Sequence, residues 1–302
     1  MLELTILGCH SATPRENKHT SSQLLEVQGN LFLIDCGEGT QMQLRKAKAK
    51  FNRIKHIFIS HLHGDHFYGL IGLISTLRLL GRKTPLHIYG PDGIKEIITL
   101  QLKMSNSWTD YPLHFHELSS LNSEIIFEDD TVCVSTLPLD HRIYTNGFLF
   151  TTKITKRNIN SKAIKGLHLE PFHYSRLQNG FCIELADGTY KENKELTLDP
   201  EPPKKYAYCS DTAYNKALIS LIKGVDLLYH EATFLERHSD LATKTKHSTA
   251  LQAAKIANAA EVKTLILGHY SNRHSDKKDF IKEASSVFES IFLSEDLKTF
   301  SI

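Results

Sequence analysis

The chain lacks paired cysteines. Its five, Cys9, Cys36, Cys133, Cys182 and Cys209, are scattered without CxxC spacing, which argues against a disulfide framework and against a cysteine zinc knuckle. A reducing cytosol is the expected setting. It also lacks any apolar run approaching the ~20 residues that a bilayer-crossing helix needs. The opening MLELTILGCHSATPRENK has neither a basic start nor a long apolar region, so neither secretion nor membrane insertion is expected. A strong net charge is missing too: +2 over 302 residues gives no case by itself for nucleic-acid attraction. Tandem repeats and low-complexity tracts are absent. With 41% hydrophobic and 23% charged residues, the composition is that of a globular chain, and one large core with an insertion is expected.

The charge that is present is uneven. Residues 151–180 hold Lys153, Lys156, Arg157, Lys162, Lys165 and Arg176 against one acid, Glu170, which leaves the remainder of the chain net acidic. A second basic run, RKAKAKFNRIK at 45–55, reads as a solvated face or helix end.

Period-2 alternation in LELTILG predicts an opening strand, and LLEVQGNLFLIDCG predicts a hairpin with Gly29-Asn30 at its turn. EGTQMQLRKAKAKF is compatible with helix, IKHIFISH reads as a buried strand, and GLIGLISTLRLLG has helical spacing ending at Gly81. PLHIYGP, LHFHELSS, SEIIFEDD, TVCVSTLPLDH and NGFLFTTKI predict further strands, with a helix at GIKEIITLQLKMS. TKRNINSKAIKGLHLEPFHYSRLQNG is basic, poor in aliphatic residues and without a strand or amphipathic period, so it is expected to form a protruding arm at about 153–180. Regularity resumes in FCIELADG, KKYAYCSDT, KGVDLLYHEATF and VKTLILGHY, with helices at STALQAAKIANAA and near the C-terminus. Two strand layers flanked by helices fit this order.

FISHLHGDHFYGL, residues 58–70, ends an apolar strand with His61, His63, Asp65 and His66 inside six positions. Neutral imidazoles and carboxylates are zinc ligands, and four of them exceed what one metal with an open position needs. Two metals are therefore plausible, with further ligands, one of them bridging, from distant strand ends. His141, Asp211 and His269 each end a predicted strand. Any one of them alone reads more readily as a hydrogen-bonded structural residue.

SHLHGDH, the upstream LIDCGEGT, and His141, Asp211 and His269 in this order resemble the metallo-β-lactamase superfamily and imply its four-layer αββα fold. By that resemblance His61, His63 and His141 would hold one zinc, Asp65, His66 and His269 the other, and Asp211 would bridge them. Asp35 would orient the loop behind them. YHEATF at 229–234 and KHSTA at 246–250 resemble, more narrowly, the HEAT and HST motifs of ribonuclease Z, which removes 3′ trailers from precursor tRNA. The likeness runs along the whole chain through IYGPDGI, HRIYTNGF, PPKK and LGHYSNR.

It implies a cytoplasmic endoribonuclease with two zinc ions per subunit and Asp65 orienting or deprotonating water. His247 would be the general acid, held in its tautomer by Glu231. Read without the family, His247 would begin a helix with Ser248 as N-cap, and Glu231 would be a structural strand-end acid. The basic segment falls where the family inserts its tRNA-binding arm, so Lys153, Lys156, Arg157, Lys162, Lys165 and Arg176 would contact tRNA, one subunit of a homodimer serving the other.

The chain departs from the family in three places. PRENKHTSS, from Pro14, replaces a PxKxRN loop that discriminates against mature CCA ends, with Glu16, Lys18 and His19 at the informative positions. The arm lacks a Gly-Pro element, and Ser210 stands for the glycine before Asp211. The competing readings are a small-molecule phosphodiesterase or other metallo-hydrolase on the same fold, for which a basic arm has no purpose, and a noncatalytic RNA-binding protein, which has little need for all seven ligands.

Overall fold

The computed structural model describes residues 2–274 and 276–302. The chain divides into two compact units, one built from the residues up to Thr151 and from Lys204 onward, the other Thr152–Pro203.

The larger unit contains two seven-stranded sheets. The first runs Thr299–Ser301, Leu2–Gly8, Ser22–Val27, Asn30–Ile34, Ile54–Phe58, Leu86–Pro91, Leu113–Leu118; the second runs Ile291–Leu293, Thr264–Gly268, Leu227–Glu231, Lys205–Cys209, Asn146–Thr152, Val132–Pro138, Ile125–Glu128. The hairpin register pairs Val27 with Asn30. Its turn therefore consists of Gln28 and Gly29, one residue earlier than expected, with φ of 48° and 87°; a two-residue turn with two positive φ values matches the right-handed twist of its strands.

The end of strand Ile54–Phe58 and the residue after it, IFI at 57–59, are apolar on both faces because both are covered. Ile57 and Ile59 join the buried cluster of Leu70, Leu73, Ile74, Leu77, Ile94 and Ile98, contributed by helices Leu70–Leu79 and Ile94–Met104. Phe58 turns the other way, into the cluster shared by Leu4, Phe32, Phe148, Phe150 and Tyr206. Helix Ala250–Ala259 covers the second sheet with Ala250, Ala253, Ala254 and Ala257, all buried. This gives the four αββα layers. The helix is capped by Thr249, which accepts from Gln252 N while the Gln252 side chain accepts from Thr249 N, a reciprocal capping box. Ser248, the expected cap, instead donates to the Thr212 carbonyl at 2.7 Å.

The smaller unit has its own core of Leu177, Ile183 and Leu196, with Ile159, Ile164 and Leu167 packed on it. Helix Pro171–Gln178 begins with proline after a Glu170–His173 capping box. Short strand pairs join Asn158–Ile159 to Thr197–Leu198 and Ile183–Glu184 to Tyr190–Lys191. FCIELADG thus belongs to this unit, which continues to Pro203, beyond the basic stretch that marks it in the sequence. No helix among the described residues is long and apolar enough to cross a membrane.

Phe150 is fully buried and its ring lies 5.9 Å from Phe32 and 5.4 Å from Phe58 across the two sheets. Replacing it with alanine is expected to cost ~3–5 kcal/mol of stability, read as a lower urea midpoint. A loss below ~1 kcal/mol would mean that the sheets do not depend on this contact.

Candidate metal centre

The proposed ligands follow strands of both sheets at one end of the sandwich. Two loops of the first sheet interlock there: Asp35 N donates to the Phe58 carbonyl, Cys36 N to that of His66, and Gly69 N to that of Cys36. Glycine is required at the crossing, since a Cβ on Gly69 would lie 2.1 Å from the Gly37 carbonyl oxygen. Asp35, Asp211 and His269 have φ of 55°, 61° and 58°. Such left-handed conformations are costly for residues with a Cβ and cluster at functional sites. Ser210 has no positive φ, so the missing glycine is tolerated.

Asp211 joins two groups of ligand atoms. Its Oδ2 is 3.5 Å from His61 Nε2 and 3.7 Å from His141 Nε2, and His63 Nδ1 completes that group at 3.0 Å from His61 Nε2 and 3.3 Å from His141 Nε2. Its Oδ1 is 3.2 Å from His66 Nε2 and 3.0 Å from His269 Nε2. Asp65 Oδ2 completes the second group, 3.6 Å and 3.5 Å from the same nitrogens. Tetrahedral zinc with ~2.0–2.1 Å bonds holds its ligand atoms ~3.3–3.4 Å apart, so both groups have the spacing of a coordination shell. The donors fit a divalent metal.

For four of the five rings, a partner on the far side fixes which nitrogen faces inward. His61 Nδ1 meets Ser60 Oγ at 3.0 Å, His66 Nδ1 meets Asp35 Oδ2 at 2.7 Å, and His269 Nδ1 meets Thr233 Oγ1 at 2.9 Å. His141 Nδ1–H donates to the Lys246 carbonyl at 2.9 Å, which leaves its Nε2 with a free lone pair. Asp35 also accepts from Ser60 N, Ser60 Oγ and the Tyr208 hydroxyl, so its carboxylate is fixed from both sheets.

Protonation follows the same division. Burial, reinforced by neighbouring imidazoles, lowers His61 and holds His63 at about 4; burial also brings His141 to about 4. These rings are neutral and ready to ligate. Burial opposes charge on His66 too, but Asp211, Asp35 and Asp65 overcome it and raise its affinity for a proton. Burial likewise opposes ionisation of Asp211, yet His269, His66 and His61 hold it well below the carboxylate range.

His247 is different. Its Nδ1 lies 2.8 Å from Glu231 Oε1, and Glu231 is fully buried, accepting also from Thr212 N and Thr233 Oγ1. Burial acts against charge on His247, but Glu231 outweighs it and lifts the imidazole to about 9. The ring stacks at 5.5 Å on His269. A cavity of 540 Å³ opens here, lined by His63, Asp65, Tyr68, Arg142, Phe234 and His247 among others. Thr233, Tyr208 and Ser60 are supporting residues that sequence reasoning missed. Their only signal was adjacency to the motifs.

The loop that departs from the family is bound internally. Arg15 and Lys18 exchange backbone hydrogen bonds, and Asp296 Oδ2 accepts His19 N at 3.0 Å and faces its Nδ1 at 2.7 Å. Within the smaller unit, Arg157 binds Thr197 and Asp199, and Arg176 bonds the Cys182 carbonyl and lies over Phe181. Lys156, Lys162 and Lys165 are exposed, and Lys153 is half-buried.

The family model described as anti-Pycsar protein Apyc1 matches residues 2–157, a stretch that contains His61, His63, Asp65, His66 and His141 but ends before Asp211, Glu231, His247 and His269. Ribonuclease Z of Cytophaga hutchinsonii is 46% identical over 302 aligned residues, 99% of this chain and 96% of the relative. That of Bacteroides fragilis is 44% identical over 97% of both chains. Among solved structures, human tRNase Z, short form, matches with a TM-score of 0.73 and 28% identity over 99% of each chain. The metallo-β-lactamase fold protein YhfI of Bacillus subtilis matches at 0.70 and 19% identity, covering 99% and 98%. The chain therefore has the metallo-β-lactamase fold and belongs, over its first half, to the family of the matching model and, over nearly its whole length, to the ribonuclease Z family.

Proposed function

We propose that this chain is a zinc-dependent endoribonuclease that removes the 3′ trailer from precursor tRNA. It cuts after the discriminator nucleotide, leaving a tRNA 3′-hydroxyl and a trailer with a 5′-phosphate. What carries the reading is a two-centre donor set beside His247, which lines the same cavity and is held by buried Glu231, in a chain aligned with ribonuclease Z along its length.

In this reading His61, His63, His141 and Asp211 would hold one zinc, Asp65, His66, His269 and Asp211 the other, and Asp35 fixes His66 through Nδ1. Metal bound there would supply an activated water at neutral pH and neutralise charge on the phosphate. Asp65, whose Oδ2 also accepts Ala12 N at 2.8 Å, orients that water and takes its proton. His247 is protonated at neutral pH, and with Nδ1 occupied by Glu231 its Nε2 delivers the proton to the leaving 3′ oxygen. The hydrolysis balances: water adds to phosphorus, and the P–O3′ bond breaks.

Lys156, Lys162 and Lys165 suit phosphate contact, because they are exposed and recognition of many tRNAs requires shape and backbone rather than sequence. Lys153 joins them, while Arg157 and Arg176 serve by holding the unit together. The enzyme acts as a homodimer in the cytoplasm, each arm presenting tRNA to the partner's centre.

A 3′-extended precursor tRNA incubated with the protein is expected to be cut once, after the discriminator, and a chelator should abolish the cut. No cut by a metal-loaded protein that hydrolyses a small phosphodiester would move the assignment to a small-molecule hydrolase.

Replacing His247 with alanine should lower turnover ~10²–10⁴-fold with bound metal unchanged. Glu231→Gln removes the charge that raises His247, so its pKa falls and the alkaline limb of the pH–rate profile should move to lower pH. A limb that stays in place would remove His247 from proton donation.

Deleting residues 155–178 would cut through the small core, so surface changes are the cleaner test of the arm. Lys156, Lys162 and Lys165 changed together to alanine should weaken tRNA binding and flatten the log–log salt dependence by ~2–3 if each contacts a phosphate. Hydrolysis of a small phosphodiester should be unaffected; equal loss of both activities would refute a separate binding surface.

A further inference from the structure

Two residues with six-membered rings, Tyr68 and Phe234, line the cavity beside the proposed centre. Phe234 is packed inward: it is 7% exposed and meets the His247 ring edge-on at 6.3 Å. Tyr68 is 65% exposed and has no part in the proposed reaction. Exposure alone would mean little, but this ring is fixed on the loop of proposed ligands. A Cβ added to Gly64 would fall 2.3 Å from Tyr68 Cε2 and 2.6 and 2.7 Å from Cδ2 and Cζ. An atom approaching the ring edge would be much nearer one carbon than its neighbours, so these similar distances put Gly64 under the ring face. Phe67 packs across it at 5.1 Å and 64°. One face of the ring thus rests on the glycine between His63 and Asp65, and the other is open.

Arg142 lines the same cavity and is exposed. It follows His141 directly, yet the acid on the other side of that histidine is engaged elsewhere, since Asp140 pairs with Lys246 at 2.7 Å. Among the described residues the guanidinium has no carboxylate partner, Glu38 on the same wall included. Arginine so placed presents a planar fork of donors suited to phosphate, while an open aromatic face accepts any base, because every base has a π face. An RNA chain with one phosphate at the centre must carry its neighbouring bases and phosphates along this wall.

We propose that Tyr68 and Arg142 form a nucleotide subsite of the cavity: Tyr68 stacks a base adjoining the scissile phosphate, and Arg142 binds a phosphate next to it. The subsite rests on the endoribonuclease reading and deepens it. Stacking holds the chain at the cut without choosing among bases, which suits an enzyme that processes many RNAs.

The test compares cleavage of a 3′-extended precursor tRNA with that of two copies carrying an abasic nucleotide, one at the discriminator and one at the first trailer position. Tyr68→Ala should lower kcat/KM on the intact precursor ~5–100-fold with bound metal unchanged, and Tyr68→Phe, which keeps the ring, should restore it. One of the abasic substrates should lower the wild type by a similar factor and cost Tyr68→Ala nothing further. Arg142→Ala should flatten the log–log salt dependence by ~0.7; an unchanged slope would overturn the part given to Arg142. Losses that add in both abasic substrates, or Tyr68→Phe as poor as Tyr68→Ala, would overturn the subsite and leave the endoribonuclease standing. A metal-loaded wild type that cuts no precursor would instead overturn that reading, and the subsite with it.

Discussion

The centre depends on one buried carboxylate. Asp211 is 2% exposed, and an ionised group so placed is costly unless it is paired. Its partners are rings from different layers: His61 and His66 follow a strand of the first sheet, while His141 and His269 follow strands of the second. With one oxygen toward each group of donors, Asp211 ties the two sheets at their rim. Histidine nitrogens converging around it at 3.0–3.7 Å cannot all carry protons without repelling one another, so the arrangement calls for cations of higher charge. The cost of burying this charge and the capacity to bind divalent metal are the same fact seen from two sides.

Around that carboxylate, one residue type is set to two tasks by what touches the outer nitrogen. A carbonyl behind His141 directs a neutral ring inward with a free lone pair, whereas the buried Glu231 behind His247 favours the imidazolium. Thr233 stands between the two arrangements, donating to Glu231 and meeting the Nδ1 of His269. The ligand shell and the proton donor of the proposed reaction are thus held by a common support.

Much of this was legible in the sequence. Alternation and apolar runs located the strands of both sheets, because burial on one or two faces imposes those patterns directly. The HxHxDH block pointed to the cluster of histidine and aspartate side chains that the fold brings together, since such a crowd of donors at a strand end has little structural purpose. The supporting residues were not legible: Ser60, Tyr208 and Thr233 act through hydrogen bonds across 25, 173 and 36 positions of chain, and single hydroxyl residues carry no pattern. The small unit was read as irregular for a related reason. Its core rests on Leu177, Ile183 and Leu196, too few and too unevenly spaced to produce a period, while six basic residues against one acid mark the stretch 151–180.

The loop after the first strand shows how a centre of this kind tolerates change nearby. The loop touches Asp65 through the backbone N–H of Ala12, a donor that every residue except proline supplies. Asp296 anchors its other end by accepting the backbone N–H of His19 and facing its ring. Side chains between these two ties can therefore vary without disturbing the ligand. Ser11, Ala12 and Pro14 of this loop line the cavity beside Asp65, so changes in the PRENKH stretch can reshape the cavity mouth while the carboxylate behind it stays fixed.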